Sequence, residues 1–350
     1  MPISTTQRLR NAIGWWRHTT RRRIRYERLK VSRSFRRHGT QPLELQFANQ
    51  YSTLASAPEI GWFADDVAER SNGAIRIHVV DGWARTSDRD EERSVVRALA
   101  AGGSDLAWVG TRVLGTLGSR ALDPLQAPLL LADYEVERAA CRSDLFDDAF
   151  DRFAALGLTG LAVVGGAMRK PFGLTRPLVT ADDYNASTIR THASAVGFAT
   201  FRALAATPVL LSAVEMGQLR SNRATVTGLD LHTDAIAGWG LQGHVTWNVN
   251  LWPRCTTILA NRRAFSRLGT EEQSLLRDSA RRLVDRAAAE LVDGDRRDRE
   301  ACPASVNVIE ATPSEIAELR ARLEPVYEEL RGDPDARGLL AELESLAARG

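Results

Sequence analysis

The sequence predicts an α/β fold with a largely parallel sheet. Three observations carry that prediction. Leu43, Leu45 and Phe47 alternate with Glu44 and Gln46, the period of two that marks a strand. Ile75, Ile77 and Val79 repeat the period after an intervening helical pattern. A second helical stretch then leads to an apolar segment at Asp105–Val109, giving the order β-α-β-α-β. At 350 residues the chain fills one large domain or two moderate ones.

The elements follow in order. Ser56 is placed to cap the first helix, with Pro58 in its first turn. Ile60, Phe63, Ala64 and Val67 recur on one face of that helix, and Ser71-Asn72-Gly73 stops it. The second helix spans about 90–101 and breaks at Gly102-Gly103. Leu161-Ala162-Val163-Val164 reads as a fully buried strand and Thr188-Ile189-Arg190 as a short one. Phe198–Ala205 and Ala213–Leu219 read as helices, with a turn at Thr207-Pro208. Thr256–Ala260 is a further apolar segment. A long helix opens at a capping box of Thr270 and Gln273, and Leu276, Leu283, Ala287 and Leu291 form its stripe. Thr312-Pro313-Ser314-Glu315 opens another, with Ile316, Leu319, Leu323 and Val326 inward, a kink at Pro325 and a stop at Gly332. No internal repeat is present.

Composition bounds the function. With 44% hydrophobic and 26% charged residues, the chain suits a soluble globular protein. No apolar run reaches the roughly 18 residues of a membrane span. The net charge of +2 hides an asymmetry. Residues 1–40 hold 12 Lys or Arg against the single acid Glu27, which is 12 − 1 = +11, so the rest carries 2 − 11 = −9. This segment reads as a disordered tail or mis-assigned upstream sequence, and an arm for nucleic acid or an anionic membrane is the alternative. Ala12-Ile13-Gly14-Trp15-Trp16 is shorter than a secretory apolar core of about 7–15 residues, so no export signal is expected. Cys141, Cys255 and Cys302 match no zinc or Cys-x-x-Cys spacing and read as free thiols. Phosphate-loop, dinucleotide, nucleophile-elbow and His-Glu-x-x-His motifs are all missing, and no cofactor is implied.

Two arginines stand out. Arg169 and Arg190 follow apolar segments close to turns, where open α/β sheets collect ligands. A guanidinium there suits a carboxylate, which it grips with two parallel hydrogen bonds. The competing reading is a pair of surface ion pairs to Asp182 and Asp183. His78, His192, His232 and His244 lack a helical i, i+4 pair or zinc spacing. A metal at His232-x-Asp234, beside Asp230, is a minor alternative. Trp108, Tyr51, Trp247 and Trp252 are candidates for an apolar cleft wall, though core packing is the commoner role for any one tryptophan.

The order of these residues resembles the substrate-binding proteins of tripartite ATP-independent periplasmic (TRAP) transporters, the DctP type. The resemblance runs over about residues 43–300. It rests on Met168-Arg169, Leu174-Thr175-Arg176-Pro177, Asp183, Ile189-Arg190, Ala206-Thr207-Pro208, Gln218-Leu219 and an expected loop at Val226-Thr227-Gly228-Leu229-Asp230. Upstream, Phe63-Ala64, Val67, Ser71-x-Gly73, Asp105-Leu106 and Ala127-Pro128-Leu129-Leu130 fit the same pattern.

The resemblance implies a two-lobe, periplasmic-binding-protein-like fold with hinge strands near 161–168 and 255–261 and C-terminal helices. Lobe I would comprise 43–166 plus 258–297, and lobe II 167–257 plus 298–350, after a basic tail over 1–42. It implies capture of a small organic acid between the lobes, with Arg190 as main anchor and Arg169 as second contact. Asp230, Trp108, Gln50 and Leu211 complete the expected ligand contacts. It further implies an extracytoplasmic monomer without enzymatic activity, handing ligand to TRAP permease subunits and binding no nucleic acid. The chain departs from the family by an insertion of about two residues within 222–227 and at Ala186 (for glycine), Thr227 (for aspartate), Leu231 and Leu211. The last two departures argue against a sialic-acid-like sugar. A cytoplasmic ligand sensor with the same fold, or nucleic-acid binding through the tail, are the alternatives.

Overall fold

The computed structural model describes residues 41–51, 53–83, 91–211, 213–219 and 226–349; the basic segment and most of the suspected insertion lie outside them. Among the described residues, twelve strands form two sheets. They are β1 (Leu43–Asn49), β2 (Ile75–Val80), β3 (Leu106–Gly110), β4 (Leu158–Val164), β5 (Met168–Gly173) and β6 (Thr188–Arg190). After them come β7 (Thr207–Val209), β8 (Gly228–His232), β9 (Gly243–Thr246), β10 (Trp252–Pro253), β11 (Thr256–Asn261) and β12 (Val306–Ile309).

The first sheet has the order β2-β1-β3-β11-β4. β2, β1 and β3 run parallel, and only β11 opposes its neighbours. β3 and β11 are buried at every position, as expected of strands covered on both faces. The second sheet has the order β12-β9-β5-β8-β6-β7, with β10 paired to β5. β8 opposes β5 but runs parallel to β6.

Several expectations shift. Ser56 lies in a single 3-10 turn, and the helix Pro58–Arg70 starts one residue later with Ala57 at its cap. The long helix Thr270–Glu300 is capped by Gly269, whose N–H donates to Glu272 at 2.7 Å. The Thr312 box forms as read, with Glu315 accepting the Thr312 N–H at 2.6 Å. That helix runs unbroken through Pro325 to Gly332. Thr207-Pro208 is a strand, not a turn. It sits at the sheet edge, where the missing proline N–H costs no ladder bond. The helices Tyr134–Arg142 and Arg337–Ala347 were not anticipated.

Two short segments cross between the sheets, at 165–167 and at 254–255, and the long helix Thr270–Glu300 makes a third passage from β11 to β12. The crossings are tied together, since Arg254 N donates to Ala167 O at 3.1 Å. They also touch: a Cβ on Gly166 would lie 2.4 Å from Arg254 O. The helix Tyr134–Arg142 braces the first crossing from one face. Glu137 Oε1 accepts the Gly166 N–H at 2.7 Å, and Tyr134 Oη accepts the Met168 N–H at 3.1 Å. The long helix buries Leu276, Leu283 and Ala287 in the first core and sends Asp295 to the second sheet, where Lys170 Nζ lies at 3.4 Å. The helix Arg337–Ala347 gives Leu339 and Leu343 to the first core and Leu340 to the second.

Two predictions follow from strained or buried groups. Burial pushes the Glu137 carboxyl up to about 8, while its unfolded counterpart ionises in the usual carboxylate range. The unfolded chain therefore loses this proton first, and stability from Glu137 drains away as pH rises to about 8. The expected slope is up to about 1.4 kcal/mol per pH unit, and Glu137→Gln should flatten it in urea titrations across that window. Ala186, where the resemblance leads one to expect glycine, adopts φ 57°. This left-handed backbone disfavours any Cβ, so Ala186→Gly should raise stability by about 0.5–1 kcal/mol in the same assay.

Candidate functional site

The site is built on the second sheet. Arg169 is the second residue of β5, inside the strand and not after it. Register pairs it with His232 of β8 on one side and Trp252 of β10 on the other. Asp230 lies in the middle of β8, where a loop was expected. It is two residues before His232 and so on the same face. Arg190 ends β6, which pairs with β8 through Ile189–Gly228 and Arg190–Leu229. Three neighbouring strands carry two guanidinium groups and one carboxylate, near enough for Asp230 and Arg169 to act electrostatically on Arg190.

Their bonding is unequal. Arg169 Nε donates to Asp230 Oδ2 at 2.8 Å and its Nη2 to Asp230 O at 2.6 Å, so this arginine is committed within the protein. Asp182 and Asp183 take no part. Asp183 accepts the Val179 and Thr180 N–H groups, and Asp182 faces Arg322 at 3.7 Å. Arg190 is only 8% exposed, yet its Nε and Nη1 have no hydrogen-bond partner. Asp230 Oδ1, in a residue 1% exposed, is equally without one. Burial lowers the Arg190 pKa to about 10, a pull only partly opposed by Asp230 and reinforced by Arg169 and Arg112.

His192 completes the arrangement. Its Nε2 lies 3.3 Å from Arg190 Nη2. A guanidinium has only donors, so Nε2 must accept and the ring proton sits on Nδ1. Burial and the arginines Arg190, Arg169 and Arg112 hold its pKa well below the ordinary histidine value, so the ring is neutral. Opposite, on the first-sheet side, Arg112 pairs with Glu92, and Gln50 Nε2 donates to Glu92 Oε1 at 3.0 Å. His232 bonds Asp234, and burial beside Arg254 lowers its pKa to about 4. Among the described residues no third His, Cys, Asp or Glu joins them in a metal-sized cluster.

The structure thus brings Arg169, Arg190 and Asp230 together and sets Gln50 on the facing Glu92–Arg112 pair. Trp108 lies in β3 within the first core at 4% exposure, and Trp247 and Trp252 are core residues too. Leu211 is half-buried two residues beyond β7, against the third core. His192 was passed over as a site residue, although i and i+2 share a face in extended chain, a spacing that pointed to Arg190. Glu92 and Arg112 carry no comparable local signal. A surface groove of about 390 Å³ lies elsewhere, between the helix Pro58–Arg70 and the long helix. There Asp66 and Arg282 pair with each other at 2.9 Å, and Arg286 lies over the Trp62 ring.

A model of the bacterial extracellular solute-binding proteins, family 7 (DctP), matches residues 57–333. The chain belongs to this family. DctP proteins are solute-binding components of transport and not a class of enzyme. No protein of curated function matches the sequence. Solved TRAP periplasmic solute-binding proteins share the two-lobe fold. One from Ralstonia eutropha H16, with bound (S)-2-acetolactate, is 21% identical at TM-score 0.73, covering 88% of this chain and 99% of its own. One from Ochrobactrum anthropi, its C-terminus bound in the ligand pocket, is 21% identical at TM-score 0.76, over 89% and 97%. A third, from Xanthobacter autotrophicus Py2 with β-D-galacturonate, is 19% identical at TM-score 0.73, over 86% and 99%.

The unequal bonding predicts opposite stability effects in this DctP-family protein. Arg169→Ala strands the buried Asp230 carboxylate and should cost about 3–5 kcal/mol. Arg190→Ala removes a buried cation with unmet donors, so its urea midpoint should equal or exceed that of the parent. A similar large loss in both variants would contradict the division of roles.

Proposed function

We propose that this protein captures a small carboxylate between two lobes and delivers it to a TRAP-type membrane permease outside the cytoplasm. The observation that supports the reading most is Arg190: a guanidinium 8% exposed, with two unpartnered nitrogens, held beside an arginine already neutralised by Asp230. A buried cation of that kind is costly unless an anion arrives to pair with it. Acetolactate and galacturonate in the structural relatives are both carboxylates, which fits an arginine anchor.

Lobe I is taken as 43–166 plus 258–297 and lobe II as 167–257 plus 298–350, with the crossings as hinge. Ligand binds Arg190 on lobe II, with Arg169, Asp230 and Leu211 around it. Closure brings Gln50 of lobe I across. Closure also lowers the local dielectric, so the ion pair strengthens as the lobes meet. No residue is assigned a catalytic role, and the protein acts as a monomer on its ligand.

The test is calorimetric titration with a panel of organic acids. Arg190→Ala should lose the affinity of one buried charge pair, about 2–5 kcal/mol, or tens- to thousands-fold in Kd. Far-ultraviolet circular dichroism should be unchanged. Retained affinity in a folded Arg190→Ala variant would remove the anchor from the proposal. N-terminal sequencing of the mature protein after cell fractionation tests the extracytoplasmic placement.

A further inference from the structure

One face of the helix Tyr134–Arg142 lies across both short crossings. Tyr134, Glu137 and Cys141 stand at i, i+3 and i+7, a spacing that sets three side chains along one stripe. The first two hold the first crossing, through the Met168 and Gly166 N–H groups. The third meets the second crossing: the thiol of Cys255 is hydrogen-bonded to that of Cys141. Cys255 Sγ also lies 4.0 Å from Glu137 Oε1, which sets it against the same stripe. Its carbonyl accepts the Thr111 N–H at 3.1 Å, so the backbone there is held too. Both cysteines are buried free thiols, at 8% and 4% exposure, and neither belongs to the carboxylate site. Among the described residues no three His, Cys, Asp or Glu form a metal-sized cluster. Two sulfurs in contact without a metal have one characteristic chemistry, oxidation to each other.

We propose that Cys141 and Cys255 are a disulfide-forming pair, and that the bond clasps this helix onto the second crossing. The oxidant is an external disulfide, met in the extracytoplasmic setting proposed above. One cysteine thiolate attacks it, a protein–oxidant S–S bond forms, and one oxidant sulfur leaves as thiolate. The second cysteine thiolate attacks the protein sulfur of that mixed bond, and the other oxidant sulfur leaves. Two thiols are oxidised, one disulfide is reduced, and the two released thiolates take up the two protons. The exchange belongs to folding, before the helix docks. Once it has docked, the hydrogen bond to Cys141 and burial push the Cys255 thiol well above its ordinary value, so little thiolate remains to react. A pair missed at that stage stays reduced. Cys141 is the last residue but one of its helix, where the terminal turn can yield as the sulfurs close to about 2.05 Å. Cys302 packs against the third core and stays a lone thiol.

The full-length protein is unfolded in urea and refolded either in a buffer of glutathione and glutathione disulfide or in excess dithiothreitol. Its thiols are then alkylated in denaturant and counted by mass. Of the three cysteines, one should be alkylated in the first sample and all three in the second. Peptide mapping should place the S–S bond between Cys141 and Cys255. Amide hydrogen exchange is read on both samples. The Gly166 and Met168 N–H groups are bonded to this helix and exchange when it lifts, so oxidation should slow them about tenfold or more. In Cys141→Ala the two buffers should give the same exchange. Three alkylated thiols in the glutathione buffer, or a bond that involves Cys302, would overturn the pairing. An oxidised sample that loses the circular dichroism of the reduced one would overturn it as well. A Cys141–Cys255 bond that leaves the exchange of both amides unchanged would overturn the clasp. None of these outcomes bears on Arg190 as carboxylate anchor.

Discussion

The structure turns on a cation that the protein buries and does not neutralise. Arg169 and Asp230 form a closed pair, and Arg190 stands next to them with two of its nitrogens unsatisfied. Desolvating a guanidinium works against folding, so the rest of the second sheet must hold it in place. Backbone pairing of β6 with β7 and β8 does that, as does the neutral imidazole of His192. The arrangement trades stability for an electrostatic vacancy, the usual signature of a binding site.

The same constraint explains why one arginine is spent inside the protein. Two free guanidiniums side by side would repel, and both would need counter-ions from a single small ligand. Committing Arg169 to Asp230 leaves Arg190 as the one net positive charge of the three. Polarity at the site becomes directional as a result, with donors and an acceptor at fixed places on neighbouring strands.

Much of this was legible in the sequence. Period-two alternation found β1 and β2, and β3 was placed within one residue, because these strands carry an apolar face or a wholly apolar run. Arg169, Arg190 and Asp230 were found through their order along the chain. Their setting was misjudged, however. Arg169 and Asp230 were read at a turn and in a loop, yet both lie inside strands, because tertiary pairing in a central sheet overrides the weak strand propensity of charged residues. The Glu92–Arg112 pair joins residues twenty apart in different elements, and no local period encodes it. Helix Arg337–Ala347 was missed because its leucines serve two cores, which blurs the single stripe that periodicity detects. The tryptophans followed the commoner fate of large aromatic rings: Trp108, Trp247 and Trp252 are core residues.

The contact of Gly166 with the Arg254 carbonyl has a consequence for how such a protein can evolve. With no room for a side chain there, the two crossing segments lie flush, and in the proposed hinge their separation would set the angle between the lobes. Observed affinity is the intrinsic affinity scaled by the fraction of molecules poised to close. A bulkier residue at that point would act as a spacer. It would retune capture and release from a distance while every atom that touches the cargo stayed the same.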